Sequence, residues 1–362
     1  MTRTRRTAPA PHPAPTRHIA VIGAGMAGVA CARTLVQAGH RVTLFDKSRG
    51  AGGRMATRRS EFGGFDHGAQ FFTVRDPRFQ RAIDTVPGCV VPWDVNSVRV
   101  LDAMGQTMAA APAPRETRWV AQPGMNALVK AWAEPLAHGS LGSEVRLEHQ
   151  VVRVATDAMD SHRWQLHAQT PDGGQTVHGG FEQVVMAMPH PQAQALLRSS
   201  GLGSGWVKQL DGVEVAPCWT LMLAFPQAMQ PGLLGFGPRW HVAKGDHHRI
   251  AWLARENSKP GRDPVERWTV QASPAWSAEH LEDDAERVKA KLLKGFAELT
   301  GIRATPSHAV VHRWRYAQTR QPLGQAYLWD ARQGIGLCGD WCLGHRVEDA
   351  FVSGLELALA MA

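Results

Sequence analysis

The sequence predicts an α/β protein that is built on a Rossmann-like dinucleotide-binding domain and contains a second set of strands. Three observations predict this class. A strand, a glycine turn, a helix and another strand follow one another within residues 18–46. Segments with alternating apolar and polar residues recur through the middle of the chain. Near the C-terminus, an apolar run leads into Gly-Asp and a final helix.

The glycine turn follows the first predicted strand, residues 18–22, and has the spacing G-x-G-x-x-G. Gly23 permits the tight turn, Gly25 lets a phosphate approach the backbone, and Gly28 lets the following helix pack closely on the strand. The N-terminus of that helix then faces a pyrophosphate. Because both strands and the helix stand in the required order, the motif predicts a bound dinucleotide.

The second predicted strand, residues 41–45, ends at Asp46, whose carboxylate is placed to accept hydrogen bonds from a ribose diol. The stretch RGAGGRMATRR follows at residues 49–59. Its paired glycines, which end at Gly53, let the backbone pass close to the dinucleotide, and Arg54 offers a planar fork of donors to the pyrophosphate. The other arginines of this stretch are interpreted as solvated charges.

Periodicity predicts the remaining elements. Helical spacing of apolar residues predicts helices at 124–137 and at 277–300, the second of them capped by Ser277. The buried run VVMAMP is expected to return to the main sheet. The other predicted strands are residues 144–155, 163–170, 175–188, 216–225, 249–254 and 266–273.

The C-terminal stretch favours a flavin as part of the dinucleotide. An apolar run leads to Gly339 and Asp340, and a helix is predicted from Val347 to the end. If that run joins the first sheet, Asp340 meets the middle of the cofactor and the helix directs its N-terminus at a ring system. A positive helix end suits a group that becomes anionic on reduction, as a flavin does. A capping aspartate with a helix that only packs is the alternative interpretation.

Composition sets the limits of this interpretation. With 362 residues, 44% hydrophobic residues and 13 tryptophans, the chain can bury a substantial core, and its length suggests two domains. The formal charge is +8, and residues 1–17 carry four arginines and no acid, which predicts a disordered basic tail. The remaining positive excess suits an anionic cofactor and substrate. No basic stripe with interleaved aromatic residues indicates nucleic acid.

The targeting and cysteine patterns favour a cytoplasmic protein. The sequence has no uninterrupted run of about eighteen apolar residues, and its N-terminal residues lack the apolar core of a signal peptide. Five scattered cysteines are expected in a reducing compartment. Cys338 and Cys342 have no companion metal ligands and lack C-x-x-C spacing, so they are interpreted as structural thiols, and no metal is expected.

Six stretches together resemble the renalase-like FAD oxidoreductases, a branch of the flavin amine oxidase superfamily. They are GAGMAGVACARTL, FDKSRGAGGRMATRR, FDHGAQFFTVRDPRF, WLARENSKPGR, HRWRYAQ and GDWCLGHRVEDAFVSG, and the resemblance runs from about residue 18 to the end. It implies a discontinuous FAD-binding domain into which a substrate domain of antiparallel sheet and helices is inserted. The implied boundaries are 18–92, 118–195 and 303–362 for the FAD-binding domain, and 93–117 and 196–302 for the substrate domain.

The resemblance also implies which residues contact FAD, which is expected to bind noncovalently. The triplet GGR, ending at Arg54, resembles the pyrophosphate arm, and Asp340 takes the ribityl hydroxyls. The other implied contacts are Ala27 at the diphosphate, Ala69 and Gln70 along the flavin ring, Val151 at adenine and Val347 at the pyrimidine edge, with Met26, Lys47 and Gly339 flanking them.

The activity implied by the resemblance is oxidation of misreduced dihydronicotinamides, the 2- or 6-dihydro isomers of NAD(P). A hydride passes to flavin N5, and oxygen is then reduced to hydrogen peroxide. Related sequences usually carry histidine where this chain has Gln271, and an amide can orient a carboxamide but cannot shuttle a proton. Arg313 and Arg315 are candidates to receive the phosphates of the dinucleotide.

Two alternatives remain open. The first is oxidation of a small amine, for which Trp314, Tyr316 and Trp341 could form an aromatic cage, although aromatic residues at such positions also serve as core. The second is a nonenzymatic binder of the type of the Rab GDP-dissociation inhibitors, which share this architecture without FAD. The intact Asp46 and Arg54 argue against the second alternative, because a binder without FAD does not need them.

Overall fold

The computed structural model describes residues 16–94, 98–102, 104–108, 116–138, 142–229 and 237–362. Its helices are α1 (Met26–Gln37), α2 (Pro77–Ile83), α3 (Asn126–Ala137), α4 (His190–Ser200), α5 (Ser204–Leu210), α6 (Pro274–Glu279), α7 (Ala285–Thr300) and α8 (Val347–Met361). Its strands are β1 (His18–Ile22), β2 (Arg41–Phe45), β3 (Arg58–Ser60), β4 (Gly63–Phe65), β5 (Val90–Pro92), β6 (Val98–Leu101), β7 (Trp119–Ala121), β8 (Glu144–Arg146), β9 (Gln150–Thr156), β10 (Trp164–Gln169), β11 (Gln175–Phe181), β12 (Gln183–Met186), β13 (Glu214–Ala224), β14 (Val242–Gly245), β15 (Ile250–Arg255), β16 (Arg267–Ala272), β17 (His308–Gln321), β18 (Leu328–Asp330) and β19 (Ile335–Leu337).

A largely parallel sheet holds the glycine turn. Its strand order is β18-β19-β12-β1-β2-β8, and every pair is parallel except the edge pair of β18 and β19. The strand before Gly339 therefore joins the N-terminal sheet, which was the condition for placing Asp340 beside the cofactor. Helices α1, α3 and α8 cover one face, where Val21, Val29 and Leu357 are fully buried. The predicted α/β class with a Rossmann-like domain is confirmed.

A second sheet of the order β17-β13-β16-β15-β14-β6 forms the other half of the molecule. All its pairs are antiparallel except β14 with β6. One face packs against α7, whose Val288, Leu292 and Phe296 are buried beside Leu221 and Val270. The strands β9, β10 and β11 form a separate antiparallel sheet.

One strand predicted as continuous is broken in two. The segment 144–155 contains β8, which joins the parallel sheet, and β9, which joins the three-stranded one. Between them Glu148 has a φ of 59°, a left-handed conformation that turns the chain. The segment 175–188 divides into β11 and β12, because the chain changes sheets between Phe181 and Gln183, and β12 returns the VVMAMP run to the main sheet, as predicted.

The helix predicted at 277–300 is two helices. Asp284, not Ser277, caps the long one, since its carboxylate accepts the backbone N–H groups of Glu286 and Arg287. Ser277 is buried in α6, where its hydroxyl accepts the N–H of Trp219 at 3.1 Å. The short segment between the two helices does not interrupt the helical spacing of the apolar residues, so the sequence alone indicated one continuous helix.

Strand β17 was not predicted, and it moves one implied domain boundary. It pairs with β13 from Glu214↔Gln321 to Ala224↔His308, so it is an edge strand of the second sheet. The implied boundary assigned 303–362 to the FAD-binding domain. We propose that residues 308–321 belong instead with the substrate-domain strands, and the other boundaries remain proposals.

Of the predicted basic tail, residues 1–17, the first fifteen residues lie outside the described part of the chain. Arg17 is described, and its guanidinium donates to the backbone oxygen of Met361 at 2.9 Å. Within the described ranges, no helix is both long enough and apolar enough to cross a membrane.

Candidate cofactor and substrate site

The three glycines of the turn have different surroundings. Gly23 has a φ of +115°, and a Cβ on it would lie 2.2 Å from the backbone oxygen of Ala187. A Cβ on Gly28 would lie 1.8 Å from the oxygen of Gly23. A Cβ on Gly25 would meet nothing nearer than 3.8 Å. The first and third glycines therefore allow close packing, whereas the second leaves open space at the helix end, where a phosphate fits.

The N-terminus of α1 is open to an anion. No side chain caps it, and its first turn carries no acid. Met26 and Ala27, the first residues of the helix, are 5% and 6% exposed. Helix α8 crosses close to this point, because a Cβ on its Gly354 would lie 2.1 Å from the oxygen of Ala27. The turn thus presents backbone donors and the positive end of a helix.

Asp46 is fixed against the glycine turn. One carboxylate oxygen accepts the N–H of Ala24 at 2.6 Å, and the other accepts the N–H of Ser48 at 2.7 Å. Asp46 is half-buried, and its neighbour Lys47 is exposed. Each carboxylate oxygen keeps a lone pair beyond the backbone hydrogen bond that it accepts, and the contact with a ribose remains a prediction.

The arm of residues 52–54 crosses the glycine turn. The N–H of Gly52 donates to the oxygen of Ala24 at 2.9 Å, and a Cβ on Gly53 would lie 3.0 Å from the Cα of Gly25. Gly52 and Gly53 have φ values of 143° and 54°, which glycine adopts without strain. The arm can approach the turn this closely only because glycines face each other.

Arg54 and Asp340 are paired with each other. The guanidinium donates to both carboxylate oxygens, at 2.5 and 2.8 Å, and Thr319 donates to the same carboxylate at 3.4 Å. The sequence analysis assigned the two residues to separate parts of FAD, and their direct pairing was not predicted. A bidentate ion pair brings the arm to the segment before α8. Gly339 precedes it, and its N–H donates to the hydroxyl of Ser353 at 2.9 Å.

The segment 66–70 passes beside the arm and is held from the second sheet. The N–H of Ala69 donates to the oxygen of Arg54 at 2.9 Å. Gln271 donates its amide N–H to the oxygen of Gly68 at 2.7 Å, and Trp314 donates its indole N–H to the oxygen of His67 at 2.9 Å. The structure thus brings Gln271 and Trp314 together on this segment.

Trp341 does not join them. Its side chain is 1% exposed, lies in the core on the other face of the parallel sheet, and donates its indole N–H to the oxygen of Met188 at 2.9 Å. Trp341 therefore packs in the core and does not take part in the predicted aromatic cage.

Arg313 and Arg315 were candidates to receive the phosphates of the substrate, but both pair with Glu282, at 3.0 and 2.5 Å.

Val151 and Val347, implied contacts at the two ends of FAD, lie at the edges of their elements. Val151 pairs with Ala168 in β9, an edge strand. Val347 is the first residue of α8, whose first turn carries Glu348 and Asp349. The carboxylate of Asp349 accepts the N–H of Arg346 at 2.9 Å, and these acids offset part of the positive end of the helix.

A buried ionic network behind the segment 66–70 was missed by the sequence analysis. Lys259 donates to Glu256, Asp66 and the amide oxygen of Gln70, at 2.9, 3.1 and 3.1 Å. Arg262 donates to Asp66 at 2.7 Å. Burial opposes ionisation, but Lys259 and Arg262 outweigh it and hold the pKa of the Asp66 carboxyl well below its usual range. Gln70 is therefore fixed by the network, not free to turn.

In front of the segment, three rings form a cluster that was also missed. His67 stacks on Trp314 with centroids 5.1 Å apart, and His312 contacts both rings edge-on, at 4.7 and 4.4 Å. Thr220 pairs with Gln271 on one side and with His312 on the other, so these two residues share a face roughly 10 Å apart across the sheet. The stretches FDHGAQFF and HRWRYAQ contained both histidines, but nothing in their spacing joined them.

Both histidines are neutral at physiological pH. Burial, and then the charges of His312 and Arg58, lower the pKa of His67 to about 4. Burial, and then Arg58, lower the pKa of His312 to about 4. The face therefore offers neutral imidazoles and an exposed cation. Among the residues that the structure describes, no group of three potential ligands is arranged to hold a metal ion.

Comparison with known proteins supplies the family. Residues 97–362 match the model described as flavin containing amine oxidoreductase, and residues 21–86 match that of an NAD(P)-binding Rossmann-like domain. A solved structure of wild-type putrescine oxidase bound to putrescine has a TM-score of 0.69 at 14% identity, over 96% of this chain and 99% of that one. At this identity the likeness shows the fold.

Curated relatives match only locally. An L-amino-acid oxidase of Bungarus fasciatus is 53% identical over 45 residues, which are 12% of this chain and 9% of the relative. A 4,4'-diapophytoene desaturase (4,4'-diaponeurosporene-forming) of Staphylococcus haemolyticus (strain JCSC1435) is 43% identical over 58 residues, 16% of this chain and 12% of the relative. The chain thus spans about a tenth of the length of these relatives, whose names indicate different reactions.

Proposed function

The chain belongs to the flavin containing amine oxidoreductase family, and on that premise we propose that it is a renalase-like FAD-dependent oxidase of misreduced dihydronicotinamides. Its reducing substrate is the 2- or 6-dihydro isomer of NAD(P), and its oxidising substrate is O2. Bound FAD would accept the hydride at flavin N5, and its two electrons and one proton, with a second proton taken from solvent, would reduce O2 to hydrogen peroxide.

The glycine turn, Asp46 and the arm of residues 52–54 support FAD as the flavin cofactor. The open space at Gly25, the oriented carboxylate of Asp46 and the glycine arm before Arg54 address successive parts of a dinucleotide. Noncovalent binding is supported at Cys342, the cysteine that lies two residues from Asp340, because its side chain is fully buried. Burial raises the pKa of its thiol, so the thiol is a poor nucleophile.

The charge pattern beside the segment 66–70 carries the choice of substrate. A flavin takes a hydride from an amine in its neutral form, so an enzyme that meets the ammonium ion has to provide a group that removes its proton. The carboxylates behind the segment, Asp66 and Glu256, are fully buried and paired with cations, so neither is available as that group. Loss of a hydride from a dihydropyridine gives an aromatic pyridinium and needs no proton acceptor, which suits the neutral His67 and His312.

Gln271 would orient the nicotinamide. Its amide nitrogen is committed to the oxygen of Gly68, so its amide oxygen is the atom that accepts an N–H from the carboxamide of the substrate. A fixed carboxamide decides which ring carbon faces the flavin, and the hydride transfers only from within about 3–3.5 Å. The ordinary 4-dihydro isomer would then present its reactive carbon in the wrong direction.

Anaerobic stopped-flow mixing tests the proposal. The purified chain is expected to be yellow and to release FAD on denaturation, and its flavin should bleach faster with 2- or 6-dihydro NAD(P)H than with 4-dihydro NAD(P)H or benzylamine. A colourless chain that cannot be reconstituted would favour the nonenzymatic binder. Bleaching by benzylamine alone would favour amine oxidation. The ring cluster of His67, His312 and Trp314 would then form the aromatic cage around the amine.

A further inference from the structure

Three histidines face one exposed arginine at the outer end of the second sheet. His308 and His312 lie on β17, four residues apart and hence on the same face. His67 contacts His312 with centroids 4.7 Å apart. Arg58 lies on β3 directly opposite Phe65, and the Phe65 ring stacks on His308 at 5.4 Å. Register and ring stacking together place the arginine beside Phe65, the residue that contacts His308.

This cluster contains polar groups that lack partners. The Nδ1 of His67, a residue 7% exposed, and the Nε2 of His308 are buried atoms without a hydrogen-bond partner. Arg58 is exposed and, within the described part of the chain, forms no ion pair. Its charge nevertheless reaches the rings: after burial, Arg58 lowers the pKa of both His308 and His312. Other buried atoms of the described residues also lack a partner, and these two nitrogens are singled out because they lie in the ring cluster on which the exposed charge of Arg58 acts.

The ligand that these groups suit is an oxyanion. A guanidinium presents a planar fork of donors that matches the oxygens of a phosphate. An imidazole supplies one N–H donor when neutral and two when protonated, and a bound anion favours protonation. The neighbouring Arg313 and Arg315 are less available to an anion, because both already donate to Glu282, whose single carboxylate offsets one of their two charges. Arg58 was interpreted from the sequence as a solvated charge, and the cluster gives it a role.

We propose that Arg58, His67, His308 and His312 form a binding site for a phosphate group, the recognition site for the phosphorylated end of a substrate. The site itself is independent of the proposed function; only the identification of the carrier as a dihydronicotinamide dinucleotide rests on it. The site is a specificity determinant, since it holds the part of the substrate that does not react.

Titration of the FAD-loaded protein with inorganic phosphate at constant ionic strength tests the site. Ring 1H–15N spectra of protein labelled in histidine report His67, His308 and His312 directly, once the signals are assigned with single His→Phe variants. Saturable shifts of these signals are expected, and acetate should shift them less. Arg58→Gln should weaken phosphate binding roughly tenfold or more, as expected for the loss of a charge-assisted contact.

Arg59→Gln is the matched control. Arg59 is the next residue of β3, pairs with Gly64, and acts on Lys130, not on the histidines. Its removal should leave phosphate affinity unchanged. Equal weakening in both variants would reduce the effect to general charge screening and overturn the proposal, as would unshifted histidine signals in the unsubstituted protein. The titration involves no turnover, so the two proposals can fail separately. Phosphate binding without flavin bleaching by a dihydronicotinamide would contradict only the proposed function. Flavin bleaching without phosphate binding would contradict only the phosphate site.

Discussion

The segment 66–70 has polar groups on both of its sides, and the two sides differ in how those groups are paired. Behind it, Asp66, Glu256 and Lys259 have side chains with no exposed area, and each has a partner of opposite charge. In front of it, His67 has an unpartnered buried nitrogen and Arg58 forms no ion pair in the described part of the chain. One short segment thus separates a paired network from an unpaired cluster.

The difference distinguishes the polar groups that stabilise the fold from those that are available to a ligand. A buried charge that loses its partner is costly, so a closed network resists substitution and fixes the residues that it contacts, here Gln70. A buried polar group without a partner carries a desolvation cost in the folded state, and a bound ligand relieves that cost. Substitutions behind the segment should therefore reduce stability, and those in front should reduce ligand affinity.

The largest effect is expected from Asp66→Asn. Lys259 and Arg262 would keep their charges in a buried site without this carboxylate, so the free energy of unfolding should fall by about 3–5 kcal/mol. Urea denaturation of the FAD-loaded protein measures the loss. The same substitution at Asp160, which pairs with Arg163 on the surface, should cost less than about 1 kcal/mol. Similar losses at the two positions would remove the distinction between paired network and surface.

The next effect concerns Arg54, a paired residue that is still 29% exposed. Arg54→Ala should weaken FAD binding by about 1.5–3 kcal/mol, roughly ten- to hundredfold, through loss of a charge-assisted contact. Fluorescence titration of the apoprotein with FAD measures the affinity, and Arg49→Ala, in the same exposed stretch, serves as the control. If FAD affinity is unchanged in Arg54→Ala, the pair with Asp340 is a structural tie alone.

The dependence of stability on pH should expose the histidines of the front cluster. Burial lowers the pKa of His67 and His312 to about 4, whereas the unfolded chain takes up protons near 6.5. The unfolded state therefore binds more protons between these values, and the free energy of unfolding falls as the pH falls through this window. The loss between pH 7 and pH 5 is about 2 kcal/mol per histidine.

His312→Gln separates that contribution from the rest. The fall in unfolding free energy between pH 7 and pH 5 should be smaller in this variant by about 2 kcal/mol. His162→Gln, at an exposed histidine, should leave the profile as it was. Parallel profiles for all three proteins would mean that His312 titrates alike in the folded and unfolded chain.

The smallest effect on stability is expected from Arg58→Gln. An exposed side chain without an ion pair should change the free energy of unfolding by no more than about 0.5 kcal/mol. Together with weakened phosphate binding, this result would separate affinity from stability in one variant. A loss of stability as large as that of Asp66→Asn would place Arg58 among the structural charges.

The parts of the site that the sequence predicted are local in the chain. Gly23, Gly28 and Asp46 lie within 24 residues and meet through one turn, so their spacing alone indicates their arrangement. The ionic network joins Asp66 to Lys259, 193 positions away, and each residue is unremarkable in its own segment. Pairing between residues so far apart in the chain depends on how the two sheets pack together. The spacing of apolar residues in the sequence does not predict that packing.

Strand β17 shows why the ring cluster was missed. Its residues include histidines, arginines and glutamines, and nearly all are half-buried or exposed because the strand lies at a sheet edge. It therefore lacks the apolar alternation that identified the inner strands, such as β13 and β16. Without this strand, His312 could not be placed beside His67, and Trp314 was grouped with Trp341 by composition instead of by contact.

The stoichiometry of turnover in air tests the proposed oxidase most directly. Purified FAD-loaded protein is supplied with 6-dihydro NAD(P)H, and the hydrogen peroxide and the oxidised NAD(P)+ that form are counted against the substrate consumed. One molecule of each product per substrate is the predicted result. Peroxide formed from benzylamine, with neither product formed from any dihydronicotinamide isomer, would contradict the proposal and assign the site to amine oxidation.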